Sequence, residues 1–220
     1  MLQLYTYYRS VAAHRVRIGL NYKGIPYQSI FIDLERTDNL SDDYLRLNPQ
    51  GLVPALVEED GLVITQSAAI LEYLEEKYPQ RALLPDTTEA RARVRSFVQA
   101  ATADMHPLNT IRVYRYLRDD LDIDYDRRRE WFHHWGHVGF RALESLLAEH
   151  PDTGSFCHGE RPTLMDVILV PQVYNAEQYG LDLSPYPTVR RIYRTCLTLA
   201  AFQGAGPDVQ PDLMAKTAQE

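Results

Sequence analysis

The sequence predicts an α/β domain at the amino end and an all-α domain after it. Up to about residue 83, short strand-like and helical runs alternate in the order β-α-β-α-β-β-α. The run PDTT at residues 85–88 then indicates a linker and the start of a helix. From residue 88 onward the pattern is almost entirely helical. We therefore place one domain at residues 1–83 and a second domain at residues 88–220.

Periodicity and turn residues define the elements of the first domain. Ala12, Val16 and Leu20 are four residues apart, which predicts a helix at residues 11–23. The turn EDG at residues 59–61 separates two apolar runs and predicts a β-hairpin. The other predicted elements are strands at 2–6 and 27–34 and helices at 41–48 and 67–79. One four-stranded sheet with helices packed on it is the expected result.

The second domain is predicted from long helical runs at residues 88–118, 126–149 and 163–179, with shorter helices after Pro187. Pro107 lies inside the first run and should kink it. Thr163 and Asp166 have the spacing of a capping box, so Asp166 is expected to be structural rather than catalytic. The polar stretch from residue 204 onward is expected to lie loosely on the surface.

Composition argues against several classes of protein. With 45% hydrophobic and 24% charged residues, the chain has the balance of a soluble globular protein. The net charge of -7 gives a nucleic-acid role no support. No apolar run approaches the ~20 residues of a membrane span. The first residues lack the basic and apolar regions of a signal peptide, so a reducing cytoplasm is the expected location.

Neither the cysteines nor the histidines have the spacing of a metal site. Cys157 and Cys196 form no CxxC pattern, so we expect them to be small buried hydrophobic residues. His133, His134 and His137 lie close together, but no acid or cysteine joins them at a suitable spacing. We expect these histidines to contribute to helix packing and to the surface.

A serine and an arginine stand where the first predicted strand meets the first predicted helix. Ser10 can cap the helix there, and it can also donate to a thiolate and lower the pKa of that thiol. Because no cysteine lies nearby in the sequence, such a thiol would belong to a ligand. Arg9 is next to this serine, and guanidinium is the preferred bidentate partner of a carboxylate. For Arg15 and Arg17, we expect a solvated helix surface or salt bridges within the domain.

Three further positions have both a structural and a ligand-binding interpretation. Pro54 is either an ordinary trans residue of an edge strand or a cis-proline that leaves the backbone of Val53 free for a peptide-like ligand. Ser67, preceded by Gln66, either caps a helix or binds a carboxylate together with the helix amides. His106 is either a structural residue or faces a cleft from the kinked helix.

Four segments together resemble the zeta class of the glutathione transferases. They are YYRSVAAHRVRIGLNYKG at 7–24, NPQGLVPAL at 48–56, TQSAAILEYLEEKYP at 65–79 and GERPTLMDVILVPQVYNAEQY at 159–179. The resemblance runs over essentially the whole chain. It implies the glutathione transferase fold, which is a thioredoxin-like glutathione-binding domain followed by an all-helical substrate-binding domain, in a homodimer.

The resemblance also implies a role for each matching residue. Ser10 holds the glutathione thiolate, Val53 pairs with the cysteinyl backbone beside cis-Pro54, and Gln66 with Ser67 takes the γ-glutamyl carboxylate. Further contacts with glutathione are expected from Asn39, Gln50, His106 and Thr110. The expected catalytic residues are Ser10, Arg9, His106 and Arg112, of which the two arginines meet substrate carboxylates.

The chain departs from the zeta pattern at several positions. Val11 follows the serine where a second serine is usual, and Ala12 replaces a cysteine. Thr110 stands where asparagine is common, and Gln178 stands where an arginine often contacts the distal carboxylate of the substrate. His14, at a position that is often aromatic in maleylacetoacetate isomerases, is similar to the maleylpyruvate enzymes. The identity of the acid therefore stays open.

The zeta class contains the glutathione-dependent cis–trans isomerases of maleylacetoacetate and maleylpyruvate. The resemblance implies that glutathione acts here as a cofactor, through reversible addition of its thiolate to the cis double bond of a maleyl keto acid. One alternative is a transferase that conjugates or dehalogenates small electrophilic acids, and another is a non-enzymatic interaction module. Ser10, Gln66 and Ser67 favour an enzyme. A thiol–disulfide oxidoreductase is disfavoured because such an enzyme needs a cysteine at position 10.

Overall fold

The structure, a computed structural model, describes residues 1–217 and divides into two compact units. The first unit contains Met1–Ala82 together with the residues from Leu197 onward, and the second contains Leu83–Cys196. The carboxyl-terminal segment thus belongs with the amino-terminal unit. The sequence prediction differs here, since it assigned all of residues 88–220 to the helical domain.

A four-stranded sheet in the order β2-β1-β3-β4 is the centre of the first unit. β1 (Leu2–Thr6) pairs in parallel with β2 (Tyr27–Phe31) and antiparallel with β3 (Ala55–Val57). β3 pairs antiparallel with β4 (Val63–Thr65), which confirms the predicted hairpin. The predicted order of strands and helices is also confirmed, although β2 ends before the predicted position 34.

Three helices follow these strands: α1 (Val11–Lys23), α2 (Asp42–Leu47) and α3 (Ser67–Lys77). α1 and α3 pack against the sheet through one apolar cluster, which contains Leu2, Leu4, Val16, Leu20, Leu56, Ile70 and Leu74. At the carboxyl end of α1, Lys23 Nζ lies 2.7 Å from Glu75 Oε2, and both side chains are buried. Apolar burial and this ion pair therefore fix α1 against α3.

The carboxyl-terminal segment packs closely on the first unit. It forms α9 (Ala200–Gln203), a short 3₁₀ turn, and α10 (Pro211–Thr217), and α9 lies against α1. Leu213 of α10 packs against a second apolar cluster, made of Tyr7, Tyr8, Leu34, Tyr44 and Val53. The prediction that this segment lies loosely on the surface is wrong. The polar sequence of the segment did not indicate this packing, because many of its contacts with the first unit are made by backbone oxygens and by the Asp212 carboxylate.

The second unit consists of helices and turns, with no strand between residues 83 and 196. Its regular helices are α4 (Thr88–Gln99), α5 (Ile111–Arg115), α6 (Tyr125–Ala148), α7 (Leu164–Gln178) and α8 (Pro187–Cys196). The first predicted helical run is interrupted by π-helical turns at Ala100–Met105 and Tyr116–Asp120 and by a 3₁₀ turn at His106–Asn109. The sequence predicts a kink at Pro107, and the helix is interrupted there by a 3₁₀ turn, since proline has no N–H to continue a helix.

A buried carboxylate in the first turn of α7 caps this helix. Asp166 is 0% exposed, and its Oδ2 accepts hydrogen bonds from Thr163 N at 2.8 Å and from Thr163 Oγ1 at 3.0 Å. Its Oδ1 accepts from Cys157 N at 2.8 Å, so the same side chain also fixes the preceding loop. The predicted capping box is confirmed.

Both cysteines are buried, and two of the clustered histidines lie within hydrogen-bond distance of protein oxygens. Cys157 and Cys196 are both fully buried, as predicted, and burial raises the pKa of each thiol. His133 Nε2 lies 2.9 Å from a backbone oxygen, and His137 Nδ1 lies 2.8 Å from the hydroxyl of Tyr186. Within residues 1–217, no group of three or more His, Cys, Asp or Glu side chains is arranged to hold a metal ion. None of the helices in this range is both long and apolar enough to cross a membrane.

We expect Asp166→Ala to lower the free energy of unfolding by about 3 kcal/mol, because two buried N–H groups lose a charged acceptor. Urea unfolding followed by circular dichroism measures the loss. Asp182→Ala is the matched control, because Asp182 also accepts from a backbone N–H, at 2.8 Å from Ser184, but in an exposed turn. That variant should lose less than about 1 kcal/mol. Equal losses in the two variants would contradict the structural role of Asp166.

Candidate functional site

Ser10 lies between β1 and α1 and caps α1. Its Oγ accepts a hydrogen bond from Ala13 N at 3.1 Å. A hydroxyl that accepts in this way still has its own proton to donate. The side chain is partly exposed, and the first amides of α1 add positive potential beside it. The two roles considered from the sequence are thus compatible, since the cap leaves a donor for an approaching anion.

A buried guanidinium fixes the turn before α1. Arg17 is 0% exposed and donates to Tyr7 O at 3.2 Å, to Tyr8 O at 3.0 Å and to Thr6 Oγ1 at 3.0 Å. Its Nε donates to Ala205 O, at 2.9 Å, in the carboxyl-terminal segment. The prediction of a solvated or salt-bridged Arg17 is wrong, because the acceptors of these hydrogen bonds are neutral oxygens. Because it is fully buried, Arg17 has no exposed surface for a ligand.

The other side of the same turn is held by α10. Asp212 Oδ2 accepts a hydrogen bond from Tyr8 N at 2.7 Å. Lys216 forms an ion pair with Glu35, and the hydrogen bond from Lys216 holds the pKa of Glu35 below its usual value. Glu35 Oε1 also lies 3.7 Å from Arg9 Nη1. Arg9 is exposed next to Ser10 and lies beside an acidic neighbour that the sequence did not indicate. Its contact with a substrate carboxylate stays a prediction.

The peptide bond between Val53 and Pro54 is cis. It immediately precedes β3, which begins at Ala55. In the described part of the chain, the backbone N–H and C=O of Val53 make no hydrogen bond to another backbone group. The structure thus decides between the two interpretations of Pro54: the proline is cis, and Val53 has a donor and an acceptor for an extended peptide.

Asn39 and Gln50 have different surroundings. Asn39 is 8% exposed, and its Nδ2 donates to Gly51 O at 2.7 Å, so it supports the turn that leads to the cis peptide. Gln50 is exposed, and its Oε1 accepts from Gln66 Nε2 at 2.6 Å. The structure therefore brings Gln50 and Gln66 together, and a contact of Asn39 or Gln50 with a ligand stays a prediction.

The amino end of α3 combines an unusual backbone with a buried charge. Gln66 has φ 69° and ψ 117°, a region that non-glycine residues rarely adopt. Ser67 is 5% exposed, and its Oγ accepts from Arg15 Nη1 at 3.2 Å. Arg15 itself is 1% exposed, so the prediction that it lies on a solvated helix surface is wrong. Sequence reasoning placed apolar residues on only one side of α1, whereas most residues of this helix are buried.

His106, Thr110 and Arg112 belong to the second unit. His106 is half-buried at the start of the 3₁₀ turn. Thr110 precedes α5, where its Oγ1 donates to Pro107 O at 3.4 Å, and Arg112 is exposed in the first turn of α5. These three residues thus lie on one short stretch of chain. Their contacts with a ligand stay predictions.

The amino-terminal domain model of the glutathione S-transferases matches residues 9–77. The maleylpyruvate isomerase of Ralstonia sp. is 43% identical over 96% of this chain and 99% of its own length. A solved holo structure of a maleylpyruvate isomerase, a bacterial glutathione S-transferase in the zeta class, has a TM-score of 0.93 and 43% identity. It covers 96% of this chain, and 99% of that chain is covered. This chain belongs to the zeta class of the glutathione transferases.

A second solved structure extends the comparison to bound ligands. The maleylacetoacetate isomerase of Methylobacterium extorquens AM1, solved with bound malonate and glutathione, has a TM-score of 0.91 and 41% identity. It covers 96% of this chain and 98% of that one. Family membership and the fold inferred from the four quoted segments are therefore confirmed.

Sequence reasoning missed four residues that shape the site of this zeta-class chain: Arg15, Arg17, Glu35 and Asp212. A signal was present for the two arginines. They alternate with Val16 and Ile18 in a helical segment that contains no acidic residue to pair with them. For Glu35 and Asp212 no local signal exists, because each acts on the turn before α1 from a distant part of the chain.

His14 makes stability depend on pH. It is 3% exposed on α1, and burial, followed by the charges of Arg17 and Arg15, lowers its pKa well below the usual value. In the unfolded chain the pKa is about 6.5, so below that pH the unfolded state binds a proton that the folded state does not. The free energy of unfolding should then fall with decreasing pH, by up to about 1.4 kcal/mol per pH unit.

We expect His14→Phe to flatten this dependence between about pH 5 and pH 6.5. Urea unfolding at several pH values measures the slope, which is independent of any change in absolute stability. His134→Phe is the control, because His134 is exposed on α6 and should leave the slope as in the wild type. A His14→Phe slope equal to that of the wild type would show that another group is responsible.

Proposed function

We propose that this protein is a glutathione-dependent cis–trans isomerase of a maleyl keto acid. The observation that carries the proposal is the hydroxyl of Ser10, which is partly exposed at the amino end of α1 with a proton to donate. Relatives similar over nearly the full chain are maleylpyruvate and maleylacetoacetate isomerases. The chemistry of the described residues agrees with that activity.

The residues of the first unit suit glutathione along its length. Val53 offers an N–H and a C=O for the cysteinyl backbone, and Ser67 with the amino end of α3 offers donors for the γ-glutamyl carboxylate. Ser10 would donate to the sulfur. When bound, glutathione supplies a thiolate that adds reversibly to the cis double bond and so permits rotation about it.

The task of the chain in that reaction is electrostatic. The Ser10 hydroxyl and the amides of α1 favour the ionised over the neutral sulfur, which lowers its pKa. Arg9 is the exposed cation next to Ser10 and would bind a carboxylate of the substrate or the negative charge that develops on it. For that role Arg9 must exchange its contact with Glu35 for the substrate. His106, Thr110 and Arg112 are assigned to ligand contacts on family resemblance alone.

The choice between maleylpyruvate and maleylacetoacetate stays open. His14, which is similar to the maleylpyruvate enzymes, is 3% exposed on α1, so it offers little surface to a substrate. Gln178, at the exposed end of α7, is the departure that bears on the distal carboxylate. We further propose that the protein is a homodimer, as the family resemblance implies. We place it in the cytoplasm, since its two free thiols agree with a reducing compartment.

The function is tested by incubating the purified chain with each maleyl acid and catalytic glutathione, and by following the fumaryl product with proton NMR. We expect turnover without net loss of glutathione, and none when glutathione is omitted. Dichloroacetate, with chloride release as the readout, tests the dehalogenating alternative. Stoichiometric consumption of glutathione as a conjugate, or no turnover of either maleyl acid, would overturn the proposal.

Ser10→Ala should reduce turnover about 10- to 100-fold, because a hydrogen bond to a charged group contributes about 1.5–3 kcal/mol. It should also raise the pKa of bound glutathione, which the ultraviolet absorbance of the thiolate measures as a function of pH. Ser41→Ala is the matched control, since Ser41 likewise caps a helix by accepting from Tyr44 N at 3.3 Å. That variant should lose similar stability and keep turnover. If both readouts were unchanged in Ser10→Ala, Ser10 would be a helix cap alone.

A further inference from the structure

Arg15 places a buried positive charge directly behind the amino end of α3. Its side chain is 1% exposed, and Nη1 donates to Ser67 Oγ at 3.2 Å. Burial lowers the pKa of Arg15 to about 9, which leaves the guanidinium charged at neutral pH. Moving a charge from water into a protein interior has a large energetic cost. The position of this charge therefore requires a physical reason.

The amino end of α3 is prepared for an anion in two ways. The side chain of Gln66, which precedes the helix, bonds to Gln50 and makes no capping hydrogen bond. The first amides of this 11-residue helix therefore keep their N–H groups, and the helix dipole adds positive potential. Because the Ser67 oxygen accepts from Arg15, the Ser67 proton is left for an acceptor on the far side of the hydroxyl.

We propose that Arg15 is a positioning residue that makes the site select a thiol cosubstrate carrying a carboxylate at its γ-glutamyl end. Arg15 acts through Ser67, which it orients and polarises, and it does not touch the ligand. The inference rests on the proposed use of glutathione and adds the residue that determines this selectivity. Thiol peptides without that carboxylate are the class that the site rejects.

A neutral residue could not replace Arg15 in this role. A hydroxyl that accepts from a cation becomes a stronger donor, since hydrogen bonds in a chain polarise one another. The charge also lies in a region of low dielectric, where its attraction for an anion is screened less than at the surface. Lysine would keep the charge but lacks the planar, multi-donor group that fixes the Ser67 oxygen.

Isothermal titration calorimetry with two probes tests the proposal. The first probe is glutathione, and the second is γ-aminobutyryl-cysteinylglycine, which lacks only the α-carboxylate of the γ-glutamyl residue. The wild type should bind glutathione at least about 10-fold more tightly, the usual effect of a charge-assisted hydrogen bond. Arg15→Gln should reduce this preference below about 3-fold, mainly through weaker binding of glutathione.

Arg17→Gln is the matched control, because Arg17 is an equally buried arginine of the same helix that bonds to the turn before Ser10. It should weaken both probes by the same factor and leave the preference as in the wild type. Circular dichroism establishes that each variant is folded. If Arg15→Gln does not fold, Arg15→Lys is measured alone and combined with Ser67→Ala. The single variant Arg15→Lys should reduce the preference for glutathione. Since Arg15 acts through Ser67, the double variant should show the same preference as Ser67→Ala.

The outcomes separate the two proposals. A wild type that binds neither probe would overturn the proposed function together with this inference. A wild type that prefers glutathione, with the preference unchanged in Arg15→Gln or Arg15→Lys, would overturn the inference and leave the function standing. An equal loss of preference in the Arg17 control would show that the effect comes from general loosening of α1 and would also overturn the inference.

Discussion

The guanidinium of Arg17 holds the turn that presents Ser10 and Arg9. Its hydrogen bonds collect the carbonyl oxygens of Tyr7 and Tyr8, which would otherwise be buried polar groups at the end of β1. The same group reaches Ala205, and Asp212 accepts from Tyr8 N on the opposite side. The polar backbone groups of the turn thus find hydrogen-bond partners both on α1 and in the carboxyl-terminal segment of the first unit. These hydrogen bonds satisfy polar groups of the turn and so stabilise the backbone that leads into Ser10 and α1.

The two buried arginines of α1 thus stabilise different parts of the first unit. Arg17 donates to the backbone oxygens of Tyr7 and Tyr8 and so stabilises the turn before α1. Arg15 donates instead to the Ser67 hydroxyl at the start of α3. Burying these two charges has a high desolvation cost. Desolvation also lowers the pKa of His14, which precedes them on α1. The first unit therefore carries two separate positive centres, one under each helix that presents its amino end to the proposed ligand. A tripeptide with a thiol near one end of the pair and a carboxylate near the other fits that distribution of charge.

The second unit shows the contrasting use of a buried charge. Asp166, in the first turn of α7, accepts from Cys157 N in the preceding loop and from Thr163 N at the N-cap, so its carboxylate organises the backbone before the helix. Burial raises the pKa of Asp166, while these hydrogen bonds act in the opposite direction. The residues assigned to a ligand in this unit lie instead around the break in the helix at Pro107. Because proline has no N–H to continue a helix, the chain forms a 3₁₀ turn at His106–Asn109 before α5 begins.

The sequence alone determined the order of elements, the four-stranded sheet, the hairpin, the break at Pro107 and the capping box of Asp166. These features are set by neighbours along the chain: apolar periodicity, turn residues and cap spacing act over a few residues. Family membership followed from the four segments together. The tertiary structure decided the cis state of Pro54, the burial of Arg15 and Arg17, and the docking of residues after Leu197 on the first unit. The buried arginines and the docked segment depend on groups far apart in the chain, such as Arg17 with Ala205 or Tyr8 with Asp212. No local sequence pattern predicts which distant oxygen a buried donor will bond to.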